Sequence, residues 1–409
     1  MKIKQTFKGD GLFLMFGFML AMSSSVGQTY FLGVYKPAIQ QNYSLSETDF
    51  GFMYFGLTLA GAVILNRIGH LIDTVPLQKY TLSLCALMVT ACLFVAVSPG
   101  IIILFFALLM TRLVGQGLMT HAAMTSMSRY FTRRRGLAVS FASLGMPVGQ
   151  SLLPPLAVFL MVSFSWQASW ALIALLYACV LAPVTLFFLR GHTQRHAAWL
   201  AAQQDEEAAN TSGFVTKHLK RRDVLRDKRL PLLFTVTLAC PFWITAIFFF
   251  AQNMAEMKGW TLQVFTGLYW MNALGAMTVP LIGGMIVDRV GGLAAAALYP
   301  PLLAISICFL IFGDTMLAVG VGLAFLGVAG GLSIPVNTTI WAELYGTRHL
   351  GEIKSLSTSV MVFSTALAPY VLGMLLDAGI RLETILMGGV VHGMVATVIA
   401  FFMPRFAKA

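Results

Sequence analysis

The stretch FFALLMTRLVGQGLMTH, residues 105–121, is an apolar run with a single arginine, Arg112, near its middle. Its setting decides what it is. The 409-residue chain is 58% hydrophobic and only 11% charged, with a mean hydropathy of +0.81, whereas a soluble domain carries about 25% charge. The chain therefore reads as a polytopic membrane protein. Crossing a hydrocarbon core about 30 Å thick takes roughly 20 apolar residues, and twelve such stretches occur, near 11–34, 48–66, 76–97, 100–125, 136–160, 167–189, 230–252, 261–286, 292–312, 315–341, 354–376 and 382–404. Backbone groups in lipid have no water to bond, so stretches of this length are helices; barrel strands would alternate and be about half as long. The fold class is all-α membrane, with twelve transmembrane helices. The basic start MKIKQTFK leads into a run too long for a signal peptide and without a small-residue cleavage site, so it is read as a retained first span.

Charge sets the orientation. The net charge is +11, but its distribution points to lipid rather than to nucleic acid. With the N-terminus inside, all but four of the 27 Lys and Arg fall in the termini and the even-numbered loops; Lys36, Lys258 and Arg381 lie on the other side and Arg112 within a span. That asymmetry is the positive-inside rule and places both termini in the cytoplasm. The five cysteines, at 85, 92, 179, 240 and 308, fall inside the spans without metal-ligand spacing and read as packing residues.

A shift of 215 residues brings the chain onto itself. Ser46, Phe50 and Tyr54 meet Thr261, Phe265 and Tyr269; Gly69 and Asp73 of GHLIDTVPLQK meet Gly284 and Asp288 of GMIVDRVGG; Tyr130, Arg133, Gly136 and Pro154 meet Tyr345, Arg348, Gly351 and Pro369. One offset serving four places reads as two six-helix halves in parallel repeat, 1–189 and 230–409, joined by a cytoplasmic linker over 190–229. Within that linker AAWLAAQQDEEAA suits a short surface helix, and the basic end suits anionic lipid.

Twelve spans, two halves and a Gly-x-x-x-Asp pattern after spans two and eight resemble the major facilitator superfamily over nearly the whole chain. In the first half Thr74 and Pro76 replace the family's arginine and glycine; Gly284, Asp288, Arg289 and Gly291 keep the pattern in the second. The resemblance implies that Asp73 and Asp288, with Arg289, Arg133 and Arg348, govern the inner gate, and a carboxylate beside a helix N-terminus is favoured electrostatically. A narrower stretch, YFTRRRGLAVSFASLGMPVGQSLLPP at 130–155, is similar to the loop and fifth span of monocarboxylate porters and oxalate:formate-type exchangers. Lys36, near the outer end of span one, resembles the substrate lysine of those porters. Their Asp and Arg pair in span eight is absent, since residues 262–286 carry no charge.

Arg112 is the candidate that matters most. At 1.5 Å per residue it lies about 16 Å into span four, near mid-bilayer, where a charge costs at least ~2.5 kcal/mol. Stepping 100° per residue puts Gly115, Gln116, Met119 and Ala123 on its stripe and His121 opposite. All sixteen acidic residues map to loops or span ends, so the sequence offers this guanidinium no mid-membrane carboxylate, and its planar fork matches an anionic substrate. The other polar residues expected to line the site are Gln28, Tyr35 and Lys36 in span one, Gln252 and Asn253 in span seven, Tyr269 and Asn272 in span eight and Asn337 in span ten, with interhelical bonding as the alternative for each. Glu343, His121 and His392 are the candidates for proton coupling.

The segment SETD, 46–49, reads as an N-cap for span two. No Gly-rich loop with Gly-Lys-(Ser/Thr) occurs, which disfavours a nucleotide-driven pump; no nucleophile and base stand at workable spacing, so neither an enzyme nor a bound cofactor is expected. The reading is a secondary transporter of a small organic anion, a monocarboxylate for choice, in the inner (plasma) membrane, working as a monomer by exchange, uniport or proton symport. Efflux of an amphipathic compound and a non-transporting membrane sensor are the alternatives.

Overall fold

A computed structural model describes residues 11–131, 135–196, 221–346 and 350–407. Among these, every regular element is helical. Eleven helices are long and apolar enough to cross a membrane, and a twelfth if Leu262–Val279 and Ile282–Val290 count as one bent span. Ile102, Leu317 and Phe401 are each about 70% exposed, which only lipid makes tolerable for faces of this kind. The chain is a multi-pass membrane protein.

The spans start where the sequence supplies caps. Ser46 and Asp49 bond reciprocally, Asp49 N–H to Ser46 Oγ at 3.1 Å and Ser46 N–H to Asp49 Oδ2 at 3.0 Å, which is the box read from SETD. Ser165, Thr261 and Thr315 accept from the amides three residues on and open spans six, eight and ten, satisfying donors the helix leaves unpaired. Several spans run past the apolar stretch: the first reaches Tyr43, the second Thr74, the fourth Tyr130 and the tenth Tyr345.

Spans one and four are irregular where they meet, as is span six over Tyr177–Leu181. Span one breaks into a 3-10 turn over Ser24–Gly27, with Gln28 extended, before restarting at Thr29. Ser23 and Ser24 donate back to the carbonyls of Met19 and Ala21, both at 2.6 Å, an arrangement that bends helices. Span four widens into a π-helix over Leu113–Met119. The two irregular segments cross backbone to backbone. A Cβ on Gly27 would stand 2.5 Å from the Thr111 carbonyl oxygen, and one on Gly115 would stand 2.7 Å from Gly27 Cα. Only glycine permits that approach, and small residues at helix contacts are how membrane bundles pack closely. The π-turn also overturns the 100° stepping past Arg112, because a wider turn rotates each residue by less.

Contacts divide the chain into two compact units, Met1–Phe31 with Ala60–Val215, and Leu32–Leu59 with Thr216–Ala409. The stretch 32–59, which the repeat assigns to the first half, thus packs within the second unit. Glycine contacts show how: a Cβ on Gly33 would stand 2.6 Å from the Phe248 carbonyl, one on Gly51 2.6 Å from that of Pro369, and one on Gly373 2.5 Å from that of Glu47. The linker ends are anchored, each to its own unit. His192 stacks on Phe13 with ring centroids 5.5 Å apart and Tyr130 bonds His196 at 2.9 Å; Val224 is fully buried and Tyr345 donates to Asp227 at 3.0 Å. The surface helix expected over 197–209 lies outside the described residues.

Candidate functional site

In the first unit the crossing of spans one and four fixes Arg112. Its side chain is 3% exposed, and Nη1 donates to Thr29 Oγ1 at 3.5 Å. Thr29 is the first residue after the break in span one, so the interrupted helix is what presents a hydroxyl at this depth. Gln28, the neighbour of Thr29, is buried, and its amide nitrogen has no hydrogen-bond partner among the described residues. An unsatisfied buried donor costs about 1–3 kcal/mol, which a ligand oxygen would relieve. Gln116 is half-buried within the π-turn.

In the second unit Lys36, the residue that resembles a substrate lysine, lies buried against two polar side chains. It is 1% exposed and its Nζ lies 2.7 Å from both Glu47 Oε2 and Asn253 Oδ1. Asn253 Nδ2 donates to Glu47 Oε1 at 3.0 Å, closing a triangle, and the Phe250 ring lies under the ammonium at 4.2 Å. Glu47 and Phe250 were not read as functional from the sequence. The clue was an outer lysine followed eleven residues later by an acid at a helix start.

Several expected lining residues serve the bundle instead. Gln252 bonds Glu256 of its own helix at 2.7 Å. Asn272 donates to the Leu323 carbonyl at 3.1 Å, and Asn337 accepts from Tyr299 and donates to the Thr237 carbonyl; both therefore tie helices together. Tyr35 is fully buried. Tyr269 is also fully buried, edge-on to Phe248 at 4.9 Å, and its hydroxyl has no bond partner among the described residues. Tyr54, its partner under the 215-residue shift, meets the adjacent ring, Phe249, at 4.7 Å.

Comparison with known proteins assigns the scaffold. The family model described as Major Facilitator Superfamily matches residues 14–369. The chain belongs to the major facilitator superfamily. A solved structure titled "Crystal structure of a POT family transporter in complex with 5-aminolevulinic acid" is similar in fold, with a TM-score of 0.64 at 15% identity, covering 97% of this chain and 96% of that one. No curated protein matches.

In this major facilitator protein the residues expected at the gate are engaged unequally. Asp73 is held by Arg129, which also donates to the Ile72 carbonyl at 3.2 Å; Arg129 was not read as a gate residue. Arg133 and Arg348 lie outside the described residues. Asp288 and Arg289 are exposed in the last turn of span eight. The carboxylate at the start of span nine is Glu343, which accepts from the amides of Gly292 at 2.6 Å and Leu293 at 2.9 Å. Gly291 makes this possible with φ 85° and ψ 159°, a region essentially restricted to glycine. Gly291→Ala is expected to cost about 1–3 kcal/mol, and Glu343→Ala a similar amount through two charge-assisted bonds; thermal unfolding of the purified variants checks both.

Glu343 is thus engaged as a cap. His392 is also occupied: the Trp243 indole donates to its Nδ1 at 3.0 Å, and its Nε2 faces the Thr235 carbonyl at 3.0 Å. A carbonyl can only accept, so Nε2 carries the proton and the ring is the neutral tautomer that satisfies both neighbours. His121 is exposed, away from buried Arg112.

His192 gives the segment after span six a pH dependence. Burial, helped by Arg195 and His196, pushes its imidazole down from 6.5 to about 4. Between those values the unfolded chain binds the proton and the folded chain does not, so stability is complete above pH 6.5 and is lost as the pH falls toward 4. Amide exchange over 189–196, corrected for intrinsic rates, is expected to be faster at pH 5 than at pH 7, and His192→Phe to flatten the difference.

Proposed function

We propose that this protein carries a small organic anion, a monocarboxylate, across the inner (plasma) membrane by alternating access of its two six-helix halves, acting as a monomer with both termini in the cytoplasm and with Arg112 as the anion's ligand. The observation that carries the reading is a guanidinium buried within span four where two helices lose regular geometry. Family membership supports a secondary transporter. The arginine supports an anion, because its fork meets both oxygens of a carboxylate, while Thr29 and the unsatisfied amide of Gln28 offer further polar contacts beside it. Exchange or uniport fits better than proton symport, since Glu343 and His392 are committed to hydrogen bonds within the bundle.

The test is uptake into proteoliposomes of labelled lactate, pyruvate, formate and oxalate, with and without a pH gradient. Saturable uptake is expected in wild type, with a fall of about 10- to 100-fold in Arg112→Ala, the size of a lost charge-assisted contact. Arg112→Lys keeps the charge but not the fork, and is expected to recover only part. Absence of anion uptake by wild type, with the protein folded, sinks the carboxylate reading and moves the assignment to efflux of an amphipathic compound.

A further inference from the structure

A cleft of about 110 Å³ lies inside the first unit, between spans one, five and six. Its origin is helix geometry. Spans one and five meet backbone to backbone at Gly149, where a Cβ would stand 2.7 Å from the Met22 carbonyl oxygen. Past that contact every wall is irregular: span one carries the 3-10 turn at Ser24–Gly27, span five the pair Pro154 and Pro155, and span six the π-helix over Tyr177–Leu181. Three such faces do not pack flush, and the space between them is the cleft.

The cleft suits an apolar guest. Its lining residues are apolar apart from Ser23 and Tyr177, and both of these have spent their donors: the Ser23 hydroxyl donates to the Met19 carbonyl at 2.6 Å and the Tyr177 hydroxyl to the Ser23 carbonyl. A water held in a cavity needs roughly two to four polar partners, so water is a poor filler here. The floor, at Val26, Ala157 and Ile173, is buried, whereas Leu156 and Val180 at the rim are exposed. Leu152 and Leu175, beside that rim, are exposed as well, so the cleft is continuous with the surface that faces lipid.

We propose that the cleft holds one acyl chain drawn from the surrounding bilayer, and that this chain props the break in span one. The occupant lies against Ser23 and Val26, the first preceding the 3-10 turn and the second within it. The same turn meets span four through Gly27 and Gly115 and delivers Thr29 to Arg112. An unfilled cleft forfeits the dispersion contacts of its walls, and a polymethylene chain is the apolar group a bilayer supplies in excess. No charged side chain lines the cleft, so the headgroup is not selected. The claim stands apart from the anion reading, because it concerns what holds the turn and not what Arg112 binds.

Two measurements on the full chain test this. In the first, wild type is extracted from a bilayer of phosphatidylcholine, phosphatidylethanolamine and phosphatidylglycerol into a detergent whose rigid steroid tail is too broad for the cleft, and retained lipid is counted by native mass spectrometry. One acyl lipid per protein is expected, with headgroups in the proportions of the bilayer, and none in Ala157→Phe, whose ring fills the cleft. In the second, melting is compared in nanodiscs of straight-chain and of phytanoyl phosphatidylcholine, whose methyl branches make the chain too thick to enter. Wild type is expected to melt a few degrees lower in the branched lipid, with faster amide exchange over 24–29. Ala157→Phe is expected to show neither difference, and Leu152→Phe, on the lipid-facing surface outside the cleft, to show both. If Ala157→Phe does not fold, Ala157→Leu takes its place under the same criteria. The proposal is overturned if wild type retains no acyl lipid, retains a small apolar compound in its place, or retains one headgroup alone. Equal retention in the filled variant, or a branched-chain penalty that persists there, overturns it as well.

Discussion

Glu47→Ala is expected to cost about 3–5 kcal/mol, far more than Lys36→Met, although the two substitutions break the same ion pair. The difference lies in what each leaves behind. Without Glu47, a 1%-exposed ammonium keeps an amide oxygen and two ring faces but, among the described residues, no hydrogen-bonded carboxylate, and stranding a buried charge costs about that much. Without Lys36, the charge left is Glu47, whose 20% exposure gives it water, and methionine fills the lysine's volume; the expected cost is about 1 kcal/mol, in the range of a surface pair. Removing both residues together, as Lys36→Met/Glu47→Ala, is expected to restore most of the loss. Denaturation of the four proteins in one detergent measures all of this, and equal costs for the two single variants would refute the asymmetry.

The second large effect is expected at the crossing of spans one and four. Gly115→Ala places a methyl 2.7 Å from Gly27 Cα, and Gly27→Ala places one 2.5 Å from the Thr111 carbonyl oxygen. The opposing atoms are backbone, with no rotamer to yield, so each substitution is expected at or above the upper end of overpacking costs, about 3 kcal/mol. Gly117 is the control within the same π-turn. A Cβ there meets only the Leu65 side chain, at 3.4 Å, and Gly117→Ala is expected to be neutral or slightly stabilising through reduced backbone freedom. Uptake is expected to follow stability, lost in the first two variants and kept in the third. If Gly115→Ala melts like wild type, the close approach is not a constraint on the bundle.

Much of the fold was legible because lipid imposes a simple rule. Apolar length located the spans, and the structure's helices differ from those stretches mainly by running further, since helices such as Glu47–Thr74 do not stop at the hydrocarbon edge. The cap at SETD was legible because it is local. Arg112 was legible as buried because charge in an apolar run stands out. What it touches was not, because Thr29 is reached only through a break that Ser23, Ser24 and Gly27 create jointly, and 3.6-residue periodicity carries no sign of a π-turn. Glu47 escaped notice for a related reason: at a helix start an acid looks like an ordinary favourable terminus, and its lysine lies across a turn of the chain. Asn272 and Asn337 show the converse, since a polar residue in a span fits a ligand or a neighbouring helix equally well until the partner is seen.

The π-turn has a consequence for phase along span four. Arg112 precedes it and Arg129, which holds Asp73, follows it. The azimuth between these two arginines is therefore set by how many residues the wide turn contains, not by side-chain chemistry. Deleting one residue from 113–119 lets the segment relax to the ordinary α register, in which one residue fewer turns about as far as the wide turn does, so everything after it keeps its azimuth to within a few tens of degrees. The same seven residues wound as ordinary α-helix would instead swing everything after them by about 100°, carrying Arg129 off Asp73 while Arg112 stays where it is. The extra residue in the turn is thus felt at Asp73 with no change to any residue there.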